Sequence, residues 1–512
     1  MTVRSRWIRP GRACVLSGLA LCALPSLAQV SDGSRPTLWV SPRLSVQGLV
    51  ADRSTAGTDG RQSDGSLTVS PGLRVVANRA ALKGFLDYNL SDIERARGPN
   101  RSTLQHTLNA QGKAELVDQK VFLDLSAVAS RQIVSEQGQQ VVSSLQRDNQ
   151  TQTFTGVLSP YVQTRLPQDI DLLARYNATG VMTRTPTIAD TLSQTGSLRL
   201  SQRLGGGLTW AVDGSSQHVL YHGPRPEVDL RSASAQLGYT FDAHLQLYVK
   251  GGVESNNATL TTAGSHGQSG WGMDWTPDAF TRFSASRNLH AYGTDHAVSF
   301  EQRWRRSVLR FSDAQSLSLL PTTTTVGTLG TLNQLLNSAF AQLEEDPVAR
   351  AQLVQSFLQS RGLSGDTLVQ QTYLSSGARV QRMQQLAWVT NWTRDSLTLS
   401  LMQSWSRQLR GQAGLSLAAL NTVADTQSQG WTVAWGHRLT PRDNLSLTLA
   451  QQRVTGLGAS VASNGSQSAA LTLGSALTSQ MVGNFTLRRT RSTGSLLPYE
   501  ETSLAAGLVY QF

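Results

Sequence analysis

His218 and His222 stand four apart, the spacing that pairs two metal ligands on one face of a helix. Here they flank Val219, Leu220 and Tyr221, a β-rich stretch, and on a strand residues four apart lie about 13 Å from each other, too far to share one ion. Gly205, Gly206 and Gly207 fall at a predicted turn without the strand-to-helix setting of a phosphate loop. Cys14 and Cys22, the only cysteines, are both near the N-terminus. No catalytic residue, metal site or cofactor is assigned from these patterns, and an enzyme is not expected. The chemistry has to be sought in the elements that would position such residues.

The chain is 512 residues long, 39% hydrophobic and 15% charged, with 44 glycines. A typical domain carries about 25% charged residues, so its polar share falls on Ser, Thr, Gln and Asn. Arg4, Arg6, Arg9 and Arg12 precede an apolar run from Ala13 to Leu24, followed by Pro25, Ser26, Leu27 and Ala28. This is the pattern of a secretory leader cleaved after Ala28. Cleavage would remove both cysteines, so neither disulfides nor thiolate ligands are expected in the mature chain. Lipidation at Cys22 is disfavoured by the bulk of Leu21 before it. The four leader arginines contribute to the net charge of +11 and leave about +7, and no nucleic-acid partner is expected. No apolar stretch reaches the roughly 20 residues of a spanning helix.

From Leu44 onward, apolar and polar residues alternate with a period of two. Ala233, Ala235, Leu237, Tyr239 and Phe241 share one face, with Ser232, Ser234, Gln236, Gly238 and Thr240 on the other. After Asp242, Ala243 and His244 the apolar set resumes at Leu245, Leu247, Val249 and Val253, which reads as a hairpin. Segments of about ten residues recur, and a tilted strand needs about 9–11 to cross a bilayer. Strands in lipid cannot leave backbone groups unpaired, so the sheet must close. The expected fold is a transmembrane antiparallel up-and-down β-barrel of about 22 strands (range 18–22), with both termini on the periplasmic side. Long loops such as Gln408 to Ser428 alternate with turns such as Arg394 to Ser396 and Thr440 to Asn444.

The periodicity turns helical between Leu320 and Leu374. Leu332, Leu336, Phe340 and Leu343 space a first helix; Asp346 caps a second with Pro347 at its first position, and Phe357 leads to a stop at Gly362. The division is therefore a leader at 1–28 and a barrel at 29–512, with a helical insertion at about 329–362 in an outer loop. Its apolar faces could cap the mouth, enter the lumen, meet a partner, or pack only on each other and the rim.

Gly507, Leu508, Tyr510 and Phe512 end the chain on an aromatic and resemble the signal read by the barrel-assembly machinery, with Ala505 where a polar residue is frequent. Trp210, Trp271, Trp275, Trp388, Trp392, Trp405, Trp431 and Trp435 sit towards strand ends, as in aromatic girdles; a sugar-stacking platform is the alternative for any that face inward. Arg282, Arg287, Arg303, Arg305, Arg306, Arg488, Arg489 and Arg491 could make an anion-favouring lumen or meet lipid phosphates at the rims.

Trp275, Thr276 and Pro277, then Ala291, Tyr292 and Gly293, then the basic run Arg303 to Arg306, give the chain a resemblance to the PEP-CTERM system-associated outer-membrane protein family. The resemblance implies a Gram-negative outer-membrane barrel encoded with exopolysaccharide and exosortase systems, and it supplies no catalytic residues. The partners to expect are outer-membrane lipid, the barrel-assembly machinery, and exopolysaccharide or periplasmic export components. The leading expectation is a non-enzymatic barrel that assists export or surface handling of exopolysaccharide. A structural or docking protein and a general or TonB-type uptake porin are the alternatives. For the TonB type, strands beginning near Leu38 leave only about ten mature residues for a plug.

Overall fold

The computed structural model describes residues 38–55, 61–97, 102–134, 150–185, 188–223, 227–257, 265–320, 333, 336–337, 349–351, 353–354, 378–409, 425–457, 463–494 and 498–512. Ala28 and the whole leader lie outside these. So do Leu332, Phe340, Leu343, Pro347, Phe357 and Gly362 of the expected helical hairpin. Within that segment Asn333, Leu336 and Asn337 are helical, as are 349–351, Leu353 and Val354; Leu336 and Val354 are fully buried.

Twenty-two strands form one sheet. The first half comprises β1 (Leu38–Thr55), β2 (Arg61–Arg79), β3 (Leu82–Arg95), β4 (Ser102–Val117), β5 (Val121–Ile133), β6 (Gln150–Leu166), β7 (Ile170–Thr183), β8 (Thr191–Arg203), β9 (Leu208–Tyr221), β10 (Val228–Thr240) and β11 (Leu245–Asn256). The second comprises β12 (Ser265–Trp275), β13 (Thr281–His290), β14 (Gly293–Arg303), β15 (Ser307–Ser318), β16 (Arg379–Asn391), β17 (Asp395–Gln408), β18 (Asp425–Arg438), β19 (Asp443–Leu457), β20 (Ser463–Ala476), β21 (Met481–Thr493) and β22 (Tyr499–Gln511). Each pairs antiparallel with its sequence neighbours. The ladder between β1 and β22, from Arg43 opposite Gln511 to Thr55 opposite Tyr499, closes the cylinder. Closure leaves no edge, as lipid requires.

Register fixes which side chain faces where. Leu237 pairs with Val249, and Val249 with Trp271, so these lie on one face; Gln236, Lys250 and Gly270 share the other. Leu237, Val249 and Trp271 are 52%, 60% and 50% exposed. Apolar exposure on this scale, repeated around the circumference, marks a surface that contacts acyl chains. The opposite parity, rich in Ser, Thr, Gln and Gly, lines the lumen.

The strands range from 10 residues in β13 to 19 in β2, so the expected near-constant ten-residue length is corrected. In β1 and β2 the outward positions at the outer end are Asp52, Ser54, Ser63 and Gly65. There the ladder continues into water beyond the acyl layer, because pairing does not need lipid once it is nucleated.

Candidate functional site

The lumen wall is where the charged residues converge, and most are answered by a partner one or two strands away. Arg43 on β1 pairs with Asp87 on β3 and donates to Asn89 at 3.0 Å. Arg53 meets Glu501 across the β1–β22 closure at 2.6 Å. Arg175 on β7 reaches Asp124 on β5 at 3.1 Å and Ser159 at 3.0 Å, while Arg199 and Asp213 pair at 3.3 Å and Arg303 and Glu301 at 2.7 Å. Arg175 also lies 4.0 Å over the Tyr161 ring, which stacks on Phe122 at 5.0 Å; Lys113 lies 4.9 Å over Phe122. This wall is rich in hydroxyl and amide groups, and many of its charges are paired, with Asp87 facing both Arg43 and Arg74 and Asp124 opposite Lys113 as well as bonded to Arg175.

The arginines singled out in the sequence divide by parity. Arg287, Arg489 and Arg491 point outward; Arg282, Arg303 and Arg488 lie on the lumen parity; Arg305 and Arg306 are in the periplasmic turn between β14 and β15. They do not form one field, because alternate residues of a strand face opposite sides. Trp210, Trp271, Trp275, Trp388, Trp405, Trp431 and Trp435 all lie on the outward parity, and Trp392 is in the following turn. Trp210, Trp275, Trp388 and Trp435 gather near the periplasmic strand ends, as an interfacial belt would.

His218 bonds Asp229 through Nδ1 at 2.8 Å, and the His222 backbone N–H donates to the Asp190 carbonyl at 2.8 Å. Among the described residues, no three His, Cys, Asp or Glu side chains gather as metal ligands.

Two features at the outer mouth have no local sequence signal. Val219 and Tyr221 on β9 and Val228 on β10 form a buried cluster with Leu319 and Ala378, which flank the 319–378 connection. The Tyr221 hydroxyl donates to the Leu319 carbonyl at 2.8 Å. Since β10 and β15 are not neighbours, this contact pins the root of the connection across the mouth. Beside the β13–β14 turn, buried Glu254 on β11 bonds His290 Nδ1 and accepts the Ala291 N–H, both at 2.5 Å. His290 stacks on Tyr292 at 5.0 Å, and the Tyr292 hydroxyl donates to Asp295. Burial, with Asp295 beside it, pushes the Tyr292 phenol above its ordinary value. Residues from three strands meet here only because the ladder registers them.

In the terminal strand, Leu508 and Tyr510 face outward and Gly507 faces inward against Asn484. The Phe512 N–H donates to the Pro42 carbonyl at 3.1 Å, and its ring meets Tyr510 edge-on at 4.8 Å. The last two aromatics therefore seal the periplasmic end of the closure.

No family model and no curated protein matches the chain. Among solved structures, it is similar to the FrpB iron transporter of Neisseria meningitidis (F5-1 variant), with 12% identity and a TM-score of 0.47, covering 92% of this chain and 82% of that one. The siderophore receptor PirA of Pseudomonas aeruginosa gives 9% identity and a TM-score of 0.43 over 94% and 81% of the two chains. OccK2 (OpdF) of Pseudomonas aeruginosa gives 9% and 0.35 over 92% and 98%. The molecule is a closed 22-strand antiparallel β-barrel.

Proposed function

We propose that this barrel is a non-enzymatic conduit that assists export or surface handling of exopolysaccharide. The observation that carries the reading is the wall itself: a closed 22-strand cylinder lined with hydroxyl and amide groups, with many of its charges paired side by side. Such a surface exchanges hydrogen bonds with sugar hydroxyls at little desolvation cost. A neutral or weakly charged chain suits it. The test is planar-bilayer conductance of the mature protein with polysaccharide added to one side. Reversible block by neutral polymer supports the reading; a conducting pore indifferent to polymer of any charge removes it.

The strand number favours uptake as a second reading, since 22-strand barrels include transporters with a plugged lumen. The Tyr221–Leu319 contact belongs to both readings, because it sits at the mouth whichever way solute moves. Tyr221→Phe deletes one hydrogen bond worth about 1 kcal/mol and leaves the ring packed. Tyr221→Ala deletes the cluster's largest side chain, and its single-channel current is expected to be larger and noisier than that of Tyr221→Phe. Identical currents from the two variants would mean that the cluster does not bear on flow.

A further inference from the structure

On the outward face of β19 to β22, just beyond the apolar band, lie three arginines, two of them around one carboxylate. Outward parity carries Gln451 and Arg453 on β19, Gln467 on β20, Arg489 and Arg491 on β21, and Glu500 on β22. Register sets Gln451 opposite Gln467, Gln467 opposite Arg491, and Arg491 opposite Glu500. Arg491 Nε lies 3.3 Å and Arg489 Nη2 3.5 Å from Glu500, with side chains 62% and 73% exposed. Arg453 is exposed and donates to the Ser463 hydroxyl at 3.0 Å. Ion pairs this exposed are worth at most about 1 kcal/mol, so Glu500 does not hold the guanidinium groups against a better anion.

The surroundings say which anion. On the periplasmic side of the cluster, exposed Leu471, Leu487 and Leu504 continue the acyl-facing band. To the other side of Arg453, Gln429, Gln403 and Gln384 continue a row in register across β18, β17 and β16. This amide row borders a shallow groove of about 400 Å³ whose floor includes Phe311, Leu386, Leu401 and Trp431. Acyl contact below, amide hydrogen-bonding groups alongside and fork-shaped cations thus meet on one facet at the outer-leaflet boundary. A free phosphate would use only the last of the three.

We propose that this facet binds the headgroup of a phosphorylated glycolipid in the outer leaflet. Arg453, Arg489 and Arg491 take the phosphate through guanidinium–oxygen pairs, the glutamine row takes sugar hydroxyls, and the acyl chains lie along the leucines and Trp431. The charge complement is direct: three cations and one carboxylate leave an excess of positive charge where a phosphomonoester brings about −1.5 to −2.

The experiment uses the full mature barrel in phosphatidylcholine nanodiscs doped with an acylated glucosamine-disaccharide bisphosphate, or with the same glycolipid after phosphatase treatment. Bound lipid is counted by native mass spectrometry. Wild type is expected to retain the phosphorylated lipid about tenfold better than the dephosphorylated one, and R453Q/R489Q/R491Q to lose that preference. R165Q, at the periplasmic end of β6, should keep it, and heat-modifiable migration shows that each variant is folded. Equal retention of the two lipids by wild type would overturn the proposal. So would unchanged preference in the triple variant, or release of lipid on formation of a dimer through this face.

Discussion

At the scale of single residues, the periplasmic turns are held by aspartates that cap exposed backbone donors. Asp242 accepts the His244 and Leu245 N–H groups at 2.7 and 2.8 Å, and Asp278 accepts those of Phe280 and Thr281, both at 2.7 Å. The backbone bond from His244 holds the Asp242 carboxyl below the ordinary value of 3.8, and the bond from Phe280 does the same for Asp278. A carboxylate whose folded pKa is lowered stabilises the fold above its unfolded pKa and loses that contribution as the pH falls through the folded value. Amide exchange at His244 and Phe280, corrected for intrinsic rate, is expected to show protection that falls away as the pH drops below 3.8. In D242N/D278N protection should be weaker at neutral pH and nearly flat with acidification. A flat wild-type profile would mean that the turns are held by strand pairing alone.

At the scale of elements, alternate faces do different work, and one cross-strand pair tests this. Tyr248 on β11 lies over Gly272 on β12, both on the lumen face; a Cβ at Gly272 would come within 2.1 Å of the Tyr248 ring. The obstructing atoms are the far end of a movable side chain, so Gly272→Val should displace the ring into the lumen. The stability cost is expected to stay at the low end of the ~1–3 kcal/mol typical of overpacking. Single-channel conductance should fall clearly, and Tyr248→Ala in the same background should restore it.

The strands were legible because parity is local: Ala233 to Phe241 shows its acyl-facing side without any partner. Gly205–Gly207 was legible as a turn for the same reason, with Gly206 and Gly207 at φ of 74° and 85°. The turn at Asp118 to Lys120 was not, since it puts Gln119 rather than glycine at φ 54°. Ala291 and Tyr292 are among the residues that carry the family resemblance. Their role as a two-residue outer turn depends on Glu254, 37 positions away along the chain. The mouth cluster was illegible for a stronger reason, because Tyr221 and Leu319 are separated by 98 residues and meet only after the cylinder closes.

At the scale of the whole molecule, the consequence to examine is electrostatic. A basic chain would be expected to make an anion-selective pore, but selectivity depends on the charges that line the lumen and not on the total. Arg199 with Asp213 presents a short dipole to the water column, whose field falls off faster than that of a single charge, while Asp87 is shared by Arg43 and Arg74, and Asp124 by Arg175 and the cross-strand Lys113. The wild-type reversal potential in a KCl gradient is therefore expected to lie only modestly on the anion side. Replacing Asp87, Asp124 and Asp213 by Asn leaves the guanidinium groups of Arg43, Arg74, Arg175 and Arg199 uncompensated on one side of the wall. The potential should then move clearly towards anion preference at about 0.1 M salt, where screening extends about 10 Å, and return most of the way at about 1 M, where it extends about 3 Å. Because these arginines keep water on their lumen side, the variant should fold and migrate as wild type does. If instead it fails to assemble, the pairs are sealed inside protein and the lumen is packed, since unpairing a buried charge costs about 3–5 kcal/mol per site. A wild-type potential already far towards anions would mean that the pairs do not cancel and that net charge governs entry after all.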